Sequence, residues 1–259
     1  MQREWVLITG ASAGIGKEFA SIFASKGYNL VLLARDKVRL TELAQELKTK
    51  HGIEAKVLAK DLGAPAAATE IFEELQREQI PIHILVNNAG FGWGGPFAQN
   101  DLPRYVEMIQ VNITALVQLT HLFLKPMQAR GAGRILNVAS TAAFQPGPLM
   151  AIYYASKSFV FSFSYALANE LADSGVTVTT LCPGPTRSEF HARANTVRSE
   201  RVIRKWMMDA RAVAELGYLG LIRGKRVVIP GFLNKLGSFL GKCLPPRITA
   251  SAARKVMEG

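Results

Sequence analysis

The sequence predicts a single-domain α/β fold in which a doubly wound parallel sheet of about seven strands is flanked by helices. Three observations support this prediction. Short apolar runs alternate with helical patterns along most of the chain, which is typical of parallel strands joined by right-handed crossovers. A glycine-rich turn follows the first apolar run. The chain has 259 residues, 49% of them hydrophobic, which is enough for one large core.

Seven apolar runs have the length of buried strands. They occupy residues 5–9, 28–34, 55–59, 82–87, 133–139, 176–182 and 226–230. Helical patterns separate the runs, including a long one over residues 102–127 and another over residues 152–172. Doubly wound sheets bind ligands at the carboxyl ends of their strands. We therefore expect the functional residues at or just after the ends of these runs.

The turn after the first run contains Gly10, Gly14 and Gly16, and a helical pattern follows it to Lys26. A strand, a glycine turn and a helix N-terminus in this order form an anion site, because backbone N–H groups and the helix dipole face the ligand. The spacing, Gly-x-x-x-Gly-x-Gly, differs from the usual dinucleotide pattern and from the P-loop. By itself, the turn fits either a pyrophosphate site or a tight connection.

Tyr153 and Lys157 are four residues apart, so a helix would place both side chains on one face. A cation near a phenol favours the phenolate and lowers its pKa from about 10, and such a pair can exchange a proton with a carbonyl or alcohol oxygen. The same spacing also occurs on amphipathic helices that have no chemical role. Ser140 follows the fifth run closely, and Asn112 lies inside the long helical pattern, where an asparagine side chain needs a partner.

Together these residues resemble the short-chain dehydrogenase/reductase family, and especially its ketoacyl and hydroxysteroid reductases. Residues 9–16, Thr-Gly-Ala-Ser-Ala-Gly-Ile-Gly, look like the cofactor motif of that family, and residues 87–90, Asn-Asn-Ala-Gly, look like its central strand-end motif. Asn112, Ser140, Tyr153 and Lys157 look like its catalytic tetrad. The resemblance runs from about residue 4 to residue 231. It implies a Rossmann-type fold and hydride transfer between a nicotinamide and a ketone or secondary alcohol.

The resemblance also implies a role for each site residue. Tyr153 would donate a proton, Ser140 would orient and polarise the substrate oxygen, and Lys157 would lower the tyrosine pKa and hold the nicotinamide ribose. Asn112 would hold a water that extends the proton path, or would form an ordinary buried hydrogen bond. The implied cofactor-binding residues are Gly10, Ser12, Ala13, Gly14, Ile15, Gly16, Arg35, Asp61, Leu62, Asn88, Ala89, Gly90, Tyr153, Lys157, Pro183, Gly184 and Thr186. No metal site is expected.

Arg35 follows the second run, where an acidic residue would bind the ribose 2′-hydroxyl of NAD. A guanidinium suits bidentate recognition of a 2′-phosphate instead, so we predict NADP(H) over NAD(H). Two alternatives remain open: the Asp36 carboxylate could turn inward in its place, or Arg35 could be an ordinary exposed arginine. After the third run, Asp61 would contact the adenine or cap a helix that begins near Pro65.

Two loops are candidate walls of the substrate pocket. Residues 91–95, Phe-Gly-Trp-Gly-Gly, form an apolar loop that would line the pocket or cover a helix. Residues 187–209 are polar, rich in arginine and weakly periodic, and they are a candidate lid. The candidate wall residues are Phe144, Met150, Phe190 and Trp206, each of which also fits an ordinary core position.

Residues 232–259 form a basic amphipathic tail. Phe232, Leu236 and Phe239 recur at helical spacing, with Lys235 and Lys242 beside them. This apolar stripe could lie on a membrane surface, or it could pack on the pocket of the same chain or on a neighbouring subunit. Glycines in the segment weaken an autonomous helix, so we favour packing over peripheral membrane contact.

The chain is basic, with 31 lysine and arginine residues against 20 acidic residues and a net charge of +11. Such a charge attracts nucleic acid, an anionic membrane, an acidic carrier protein or an anionic cofactor, but no nucleic-acid motif accompanies it. Two cysteines, Cys182 and Cys243, are too few for a disulfide framework. The sequence has no secretory signal and no apolar run of membrane-spanning length, so we predict a cytoplasmic protein.

The predicted function is that of an NADP(H)-dependent carbonyl reductase or alcohol dehydrogenase acting on a hydrophobic or acyl-linked ketone. By the resemblance, it would be a homodimer or homotetramer formed through the helices at 102–127 and 152–172. An alternative is an NADPH-sensing regulatory protein that binds a partner through its basic tail. Against it, binding alone does not require Tyr153 and Lys157. A third possibility is an enzyme that serves an acidic carrier protein and loses activity steeply with salt.

Overall fold

The structure, a computed structural model, describes residues 3–190, 194 and 204–258. Its centre is a sheet of seven parallel strands in the order β3-β2-β1-β4-β5-β6-β7. The strands are β1 (Trp5–Thr9), β2 (Asn29–Ala34), β3 (Ala55–Ala59), β4 (Ile82–Asn87), β5 (Gly133–Val138), β6 (Val176–Leu181) and β7 (Val227–Val228). The strand order reverses between β1 and β4, which is where sheets of this type bind ligands.

Helices cover both faces of the sheet. They are α1 (Gly14–Ser25), α2 (Lys37–His51), α3 (Ala67–Arg77), α4 (Leu102–Ile109), α5 (Ala115–Ala129), α6 (Ala151–Glu170), α7 (Ala210–Ile222), α8 (Phe232–Cys243) and α9 (Pro246–Glu258). Successive strand residues point to opposite faces, so Ile8 packs with α1, α2 and α7, whereas Leu7 packs with α3 and α5. A sheet buried on both faces explains why the strands read as continuous apolar runs.

The predicted fold class is confirmed, and the strand boundaries differ by small amounts. β2, β5 and β6 are each one residue shorter than the corresponding run. β7 comprises only Val227 and Val228 of the predicted 226–230. It lies at one edge of the sheet and pairs with β6 alone, through two residue pairs.

The long helix predicted over residues 102–127 is interrupted. A π-helical segment, Gln110–Thr114, separates α4 from α5. Single π turns inside helices carry an extra residue and occur frequently at functional sites. Here the segment contains Asn112, which is 1% exposed, so the interruption places this amide in the interior.

The tail forms two helices, α8 and α9, but its apolar stripe is not buried. Phe232, Leu236 and Phe239 are all exposed, and the buried member of α8 is Ser238. The interpretation that this stripe packs on the pocket of its own chain is therefore wrong. Among the described residues, no helix is both long and apolar enough to cross a membrane.

Candidate active site

A cavity of about 730 Å³ lies at the carboxyl ends of the strands. All of the predicted site residues line it except Gly16 and Asn112. These residues come from the glycine turn, from the loops after β2, β3, β4 and β6, from the end of β5 and from α6. The fold thus brings to one place residues that are up to 176 positions apart, from Gly10 to Thr186. Among residues 3–190, 194 and 204–258, no cluster of acidic, histidine or cysteine side chains could hold a metal ion.

The glycine turn is shaped by close backbone packing. Gly10 has a φ of +67°, a conformation that favours glycine. A Cβ at Gly16 would lie 2.2 Å from the Gly10 carbonyl oxygen and 2.5 Å from Asn88 Nδ2, so Gly16 is required for packing although it does not line the cavity. The N-cap of α1, Ala13, has no side-chain hydrogen bond, and the first turn holds no acidic residue. The backbone N–H groups there suit an anion such as a pyrophosphate.

The loop after β4 is tied to the glycine turn by Thr9, which begins the predicted cofactor motif but was not among the predicted cofactor-binding residues. Thr9 Oγ1 accepts hydrogen bonds from the backbone N–H groups of Asn88 and Ala89, both at 2.9 Å. Asn88 Nδ2 donates to the Thr9 carbonyl at 2.9 Å. The signal available in the sequence was a hydroxyl at the end of a fully apolar strand, where a buried polar group needs partners.

Tyr153 lies on the first turns of α6 and faces the cavity beside Ser140. Burial raises the pKa of Tyr153 well above its usual range, and a hydrogen bond with Ser140 only partly opposes this. Ser140 Oγ also accepts from the Ala142 backbone N–H at 3.1 Å, which fixes it at the start of a 3₁₀ turn, Thr141–Phe144. The phenol is therefore neutral at physiological pH, the state that can donate a proton.

Lys157 is buried one turn further along α6, and its ammonium donates to the Val138 carbonyl at 2.9 Å. Its Nζ lies 5.8 Å from the centre of the Tyr153 ring. Burial lowers the pKa of Lys157 from 10.5 to about 8, partly offset by the nearby Cys182 thiol. We predicted that Lys157 lowers the tyrosine pKa. The net pKa of the fully buried phenol is nevertheless raised, because its desolvation dominates, and the lowering by Lys157 stays a prediction.

Asn112 braces the loop that follows β4. Its Oδ1 accepts from the Phe91 N–H at 3.0 Å, and its Nδ2 donates to the Phe91 carbonyl at 2.9 Å and to Ser156 Oγ at 3.1 Å. A Cβ at Gly90 would lie 3.0 Å from Asn112 Oδ1 and 3.3 Å from Lys157 Nζ. The amide thus forms the buried hydrogen bonds that were one of its two predicted roles, and it lies close to Lys157.

Arg35 lies at the end of the cavity formed by the loops after β2 and β3. Its side chain is 60% exposed, and its Nη1 is 3.4 Å from Glu107 and 4.0 Å from Asp61. Asp36 is engaged elsewhere, because its carboxylate caps α2 by accepting from the Arg39 N–H at 3.0 Å. Because the Asp36 carboxylate is used in this cap, the structure disfavours the alternative in which it turns inward in place of Arg35.

Asp61 does not cap a helix. Its Oδ1 accepts from the Gly63 N–H at 2.9 Å, which forms a local turn, whereas α3 begins at Ala67 with Ala66 as its N-cap. The alternative of a helix cap near Pro65 is therefore wrong, because the turn at Gly63 uses the carboxylate before the helix starts. Asp61 and Leu62 both line the cavity.

The predicted pocket walls divide into two groups. Met150 and Phe190 line the cavity, and a Cβ at Gly92 would lie 2.6 Å from Met150 Cε and 2.9 Å from Phe190 Cζ. Phe144 is buried in the core behind the site, and Trp206 is exposed, so neither forms a wall. Of the candidate lid, residues 191–193 and 195–203 lie outside the described residues.

Further cavity residues were not foreseen from the sequence. Arg104 of α4 stacks over the Phe91 ring, with its guanidinium carbon 4.5 Å from the ring centre, and bonds Glu107 at 2.6 Å. Glu189, which also lines the cavity, is bonded by Arg39 of α2 at 2.8 Å, and this pair links α2 to the loop after Thr186. The Arg104–Phe91 and Arg39–Glu189 contacts join separate segments of the chain, so no local pattern predicts them.

Comparisons with known proteins agree with this geometry. The profile of a family described as short chain dehydrogenase matches residues 4–199. A very-long-chain 3-oxoacyl-CoA reductase of Anas platyrhynchos is 35% identical over 185 residues, which are 69% of this chain and 58% of that protein. A 17-beta-hydroxysteroid dehydrogenase type 3 of Mus musculus is 39% identical over 183 residues, 70% of this chain and 59% of that protein. The chain thus spans less than two thirds of these relatives.

A solved structure matches over almost the whole chain. It is a short-chain dehydrogenase from Sphingobium yanoikuyae in complex with NADPH, with 34% identity and a TM-score of 0.82. The match covers 93% of this chain and 96% of the other. The architecture of the sheet and its covering helices is therefore shared with a protein that holds a nicotinamide cofactor.

Proposed function

The chain belongs to the short-chain dehydrogenase/reductase family, and on this premise we propose that it is an oxidoreductase that reduces a ketone with NADPH. The observation that carries this proposal is the placement of Tyr153 at the cavity beside Ser140. A buried phenol whose pKa is raised stays protonated at neutral pH, so it serves as the acid that a carbonyl oxygen needs when its carbon receives a hydride.

Each member of the tetrad acts on the substrate oxygen or on the groups around it. Tyr153 donates its proton to that oxygen, and Ser140, in hydrogen-bonding contact with Tyr153, holds and polarises it. Lys157 remains mostly cationic below its pKa of about 8, so it would return a proton to the Tyr153 phenolate after donation and then be reprotonated from solvent. Asn112 keeps the Phe91 loop in place through both backbone groups of Phe91. When bound, NADPH supplies the hydride.

The cofactor-binding proposal rests on the glycine turn and on Arg35. The uncapped N-terminus of α1 would hold the pyrophosphate, with Ser12, Ala13 and Ile15 around it. Arg35 would bind the 2′-phosphate, because its guanidinium lines the cavity with more than half of its surface still accessible. The remaining predicted residues, from Asp61 to Thr186, would contact adenine, ribose and nicotinamide as in the family. The NADPH complex of the Sphingobium yanoikuyae relative supports a cofactor of this type.

The proposed substrate is a hydrophobic or acyl-linked ketone. Apolar side chains line part of the cavity, among them Phe91, Met150, Phe190 and Met257, and the Phe190 ring lies 5.3 Å from the Tyr153 ring. Such a lining favours a ligand with an extended apolar part. Two of the relatives carry names of enzymes that act on very-long-chain 3-oxoacyl-CoA and on 17-hydroxysteroids, and both compound classes fit that description.

The test is NADPH oxidation by the purified protein against a panel of ketones, steroids and acyl thioesters. We expect turnover with at least one apolar ketone, and we expect Tyr153→Phe to lower kcat by about 10² to 10⁴, because the proton donor is lost. NADPH fluorescence should show that this variant still binds the cofactor. Full activity of Tyr153→Phe would remove the proposed mechanism. Binding without turnover on the whole panel would favour the NADPH-sensing alternative, which the exposed basic tail supports.

A further inference from the structure

Helix α8 has its amphipathic pattern turned outward. Helices of globular proteins bury their apolar face, but in α8 the large apolar side chains are exposed: Phe232 is 77% exposed, Phe239 63% and Leu236 45%, with Leu233, Leu240 and Leu244 also exposed. The inward face carries small or polar residues, namely Asn234, Ser238 and Gly241. An exposed apolar cluster of this size on one helix marks a contact surface.

Specific contacts on the inward face hold α8 in this orientation. Asn234 Nδ2 donates to the Pro230 carbonyl at 2.7 Å, and a Cβ at Gly184 would lie 2.2 Å from Asn234 Oδ1. At the other end, a Cβ at Gly241 would lie 2.9 Å from the Phe144 carbonyl oxygen. The helix therefore packs closely against Gly184 and the Phe144 carbonyl. A rotation of α8 that buried its apolar face would place Phe or Leu side chains at these two close contacts, which have no space for them.

The charge around this face indicates what covers it. Residues 232–258 contain five lysine and arginine residues and one acidic residue, Glu258. Glu258 is bonded to Arg254 at 2.7 Å, while Lys242 lies over the rings of Phe144 and Phe161 at the edge of α8. A second copy docked face to face would bring these like charges together. A partner surface that is anionic and also accepts apolar side chains would match both the exposed apolar face of α8 and the positive charge around it.

We propose that α8 binds the surface of an anionic lipid bilayer, with Phe232, Leu236 and Phe239 inserted at the boundary of headgroups and acyl chains. A helix with an apolar face and flanking lysines lies in the plane of such an interface, buried by roughly 5–10 Å. The inward face of α8 contacts Gly184 and Phe144, and α9 contributes Val256 and Met257 to the cavity. If the proposed function holds, the surface would bring an apolar ketone next to the site.

Flotation of the full chain with lipid vesicles tests this inference without requiring turnover. We expect the protein to float with phosphatidylcholine vesicles that contain about 30% phosphatidylserine and to bind pure phosphatidylcholine vesicles roughly tenfold more weakly or less. The double variant Leu236→Glu/Phe239→Glu should weaken binding to the anionic vesicles by at least about tenfold. Lys235→Ala/Arg247→Ala should weaken it by roughly tenfold and reduce its salt dependence.

The control is Val38→Glu, which adds one carboxylate at an exposed apolar position of α2, 67% exposed, and should float like the original protein. Thermal unfolding and NADPH binding check that each variant is folded. The proposal is wrong if the original protein does not float with anionic vesicles, or if the double variant floats equally well. A molar mass that falls in the double variant, together with no flotation of the original, would assign α8 to a subunit interface instead. Flotation does not depend on turnover. A failure to reduce any ketone would therefore contradict the proposed function but not the binding of α8 to a bilayer.

Discussion

Arg35 is the single residue on which the predicted cofactor preference depends. Its guanidinium lies within 4.0 Å of Asp61 and 3.4 Å of Glu107, so it stands between two carboxylates at the cavity wall. These pairs are solvent-exposed and therefore weak, which leaves the guanidinium available to a stronger, doubly charged partner. A 2′-phosphate is such a partner.

We expect Arg35→Gln to raise KM for NADPH by about ten- to a hundredfold, the range of one or two charge-assisted hydrogen bonds, with little effect on KM for NADH. Steady-state kinetics with both cofactors measures this preference. Lys37→Gln, an exposed lysine in the first turn of α2, is the matched control and should leave the ratio of the two KM values unchanged. An unchanged ratio in Arg35→Gln would refute the assignment.

Lys157 gives the stability of the protein a definite pH dependence. Its pKa is about 8 in the folded chain and 10.5 in its ordinary state, so between these values the unfolded chain binds the proton that the folded chain has released. The free energy of unfolding should then rise with pH across this window, by up to about 3 kcal/mol from this group. Below pH 8 the buried charge destabilises the fold by its full amount.

Urea unfolding of the original protein and of Lys157→Met, at intervals from pH 7 to pH 10 without nucleotide, measures the effect. We expect the original to gain stability relative to the variant as pH rises. The Val138 carbonyl loses its donor in the variant, but that cost does not change with pH. A difference that stays constant over the whole range would contradict the burial of a titrating lysine.

At the scale of elements, two glycines illustrate opposite requirements. Gly16, in the first turn of α1, lies against the Gly10 carbonyl, where a Cβ would lie at 2.2 Å, whereas Gly237 of α8 has no atom within 4 Å of a Cβ. Gly16→Ala should therefore lower stability by several kcal/mol or abolish folding, because the Gly10 backbone and the Asn88 side chain would have to move. Gly237→Ala should raise stability by about 0.5–1 kcal/mol, because alanine favours a helix interior. Thermal unfolding of the two variants measures both changes, and equal effects would contradict the packing described.

The strands and the glycine turn could be predicted from the sequence because their signals are local. A strand buried on both faces is a continuous apolar run, and β1, β3 and β4 begin and end at the predicted residues. The π-helical segment at Gln110–Thr114 could not be predicted, because its extra residue is stabilised by Asn112 bonding to Phe91 and Ser156, far away in the chain.

Properties that depend on burial could not be predicted from the sequence either. The spacing of Tyr153 and Lys157 predicted two neighbouring side chains, and the structure has them on adjacent turns of α6. The direction of the tyrosine pKa depends on how completely the phenol is removed from water, which no spacing reports. The stripe on α8 is a similar case, since periodicity gives a face but does not say whether it points inward.

The whole molecule exposes a second apolar surface, formed by α4 and α6. Leu102, Val106 and Ile109 are exposed at positions of one face of α4, and Phe159 and Tyr165 are exposed on α6. We predicted that these helices form the contact of a homodimer or homotetramer, and isologous contacts of this kind bury a shared apolar core.

We expect light scattering to give the mass of a dimer or tetramer for the original protein, and Val106→Glu to weaken the association by at least about tenfold, because the carboxylate would be buried without a partner. Val38→Glu again serves as the control, since α2 lies outside this surface. A monomeric original protein, or an unchanged mass for Val106→Glu at the lowest concentration that scattering can measure, would show that α4 is not the contact.

The contrast between the two cysteines gives the protein a built-in attachment point for a probe. Burial raises the pKa of Cys182 to about 12, so its thiol stays protonated and shielded from alkylation, whereas Cys243 is an exposed free thiol at the last position of α8. A maleimide dye should therefore label the folded chain once, at Cys243, with no engineered residue. A dye whose emission depends on solvent polarity would then report, from the native sequence, when this end of α8 leaves water.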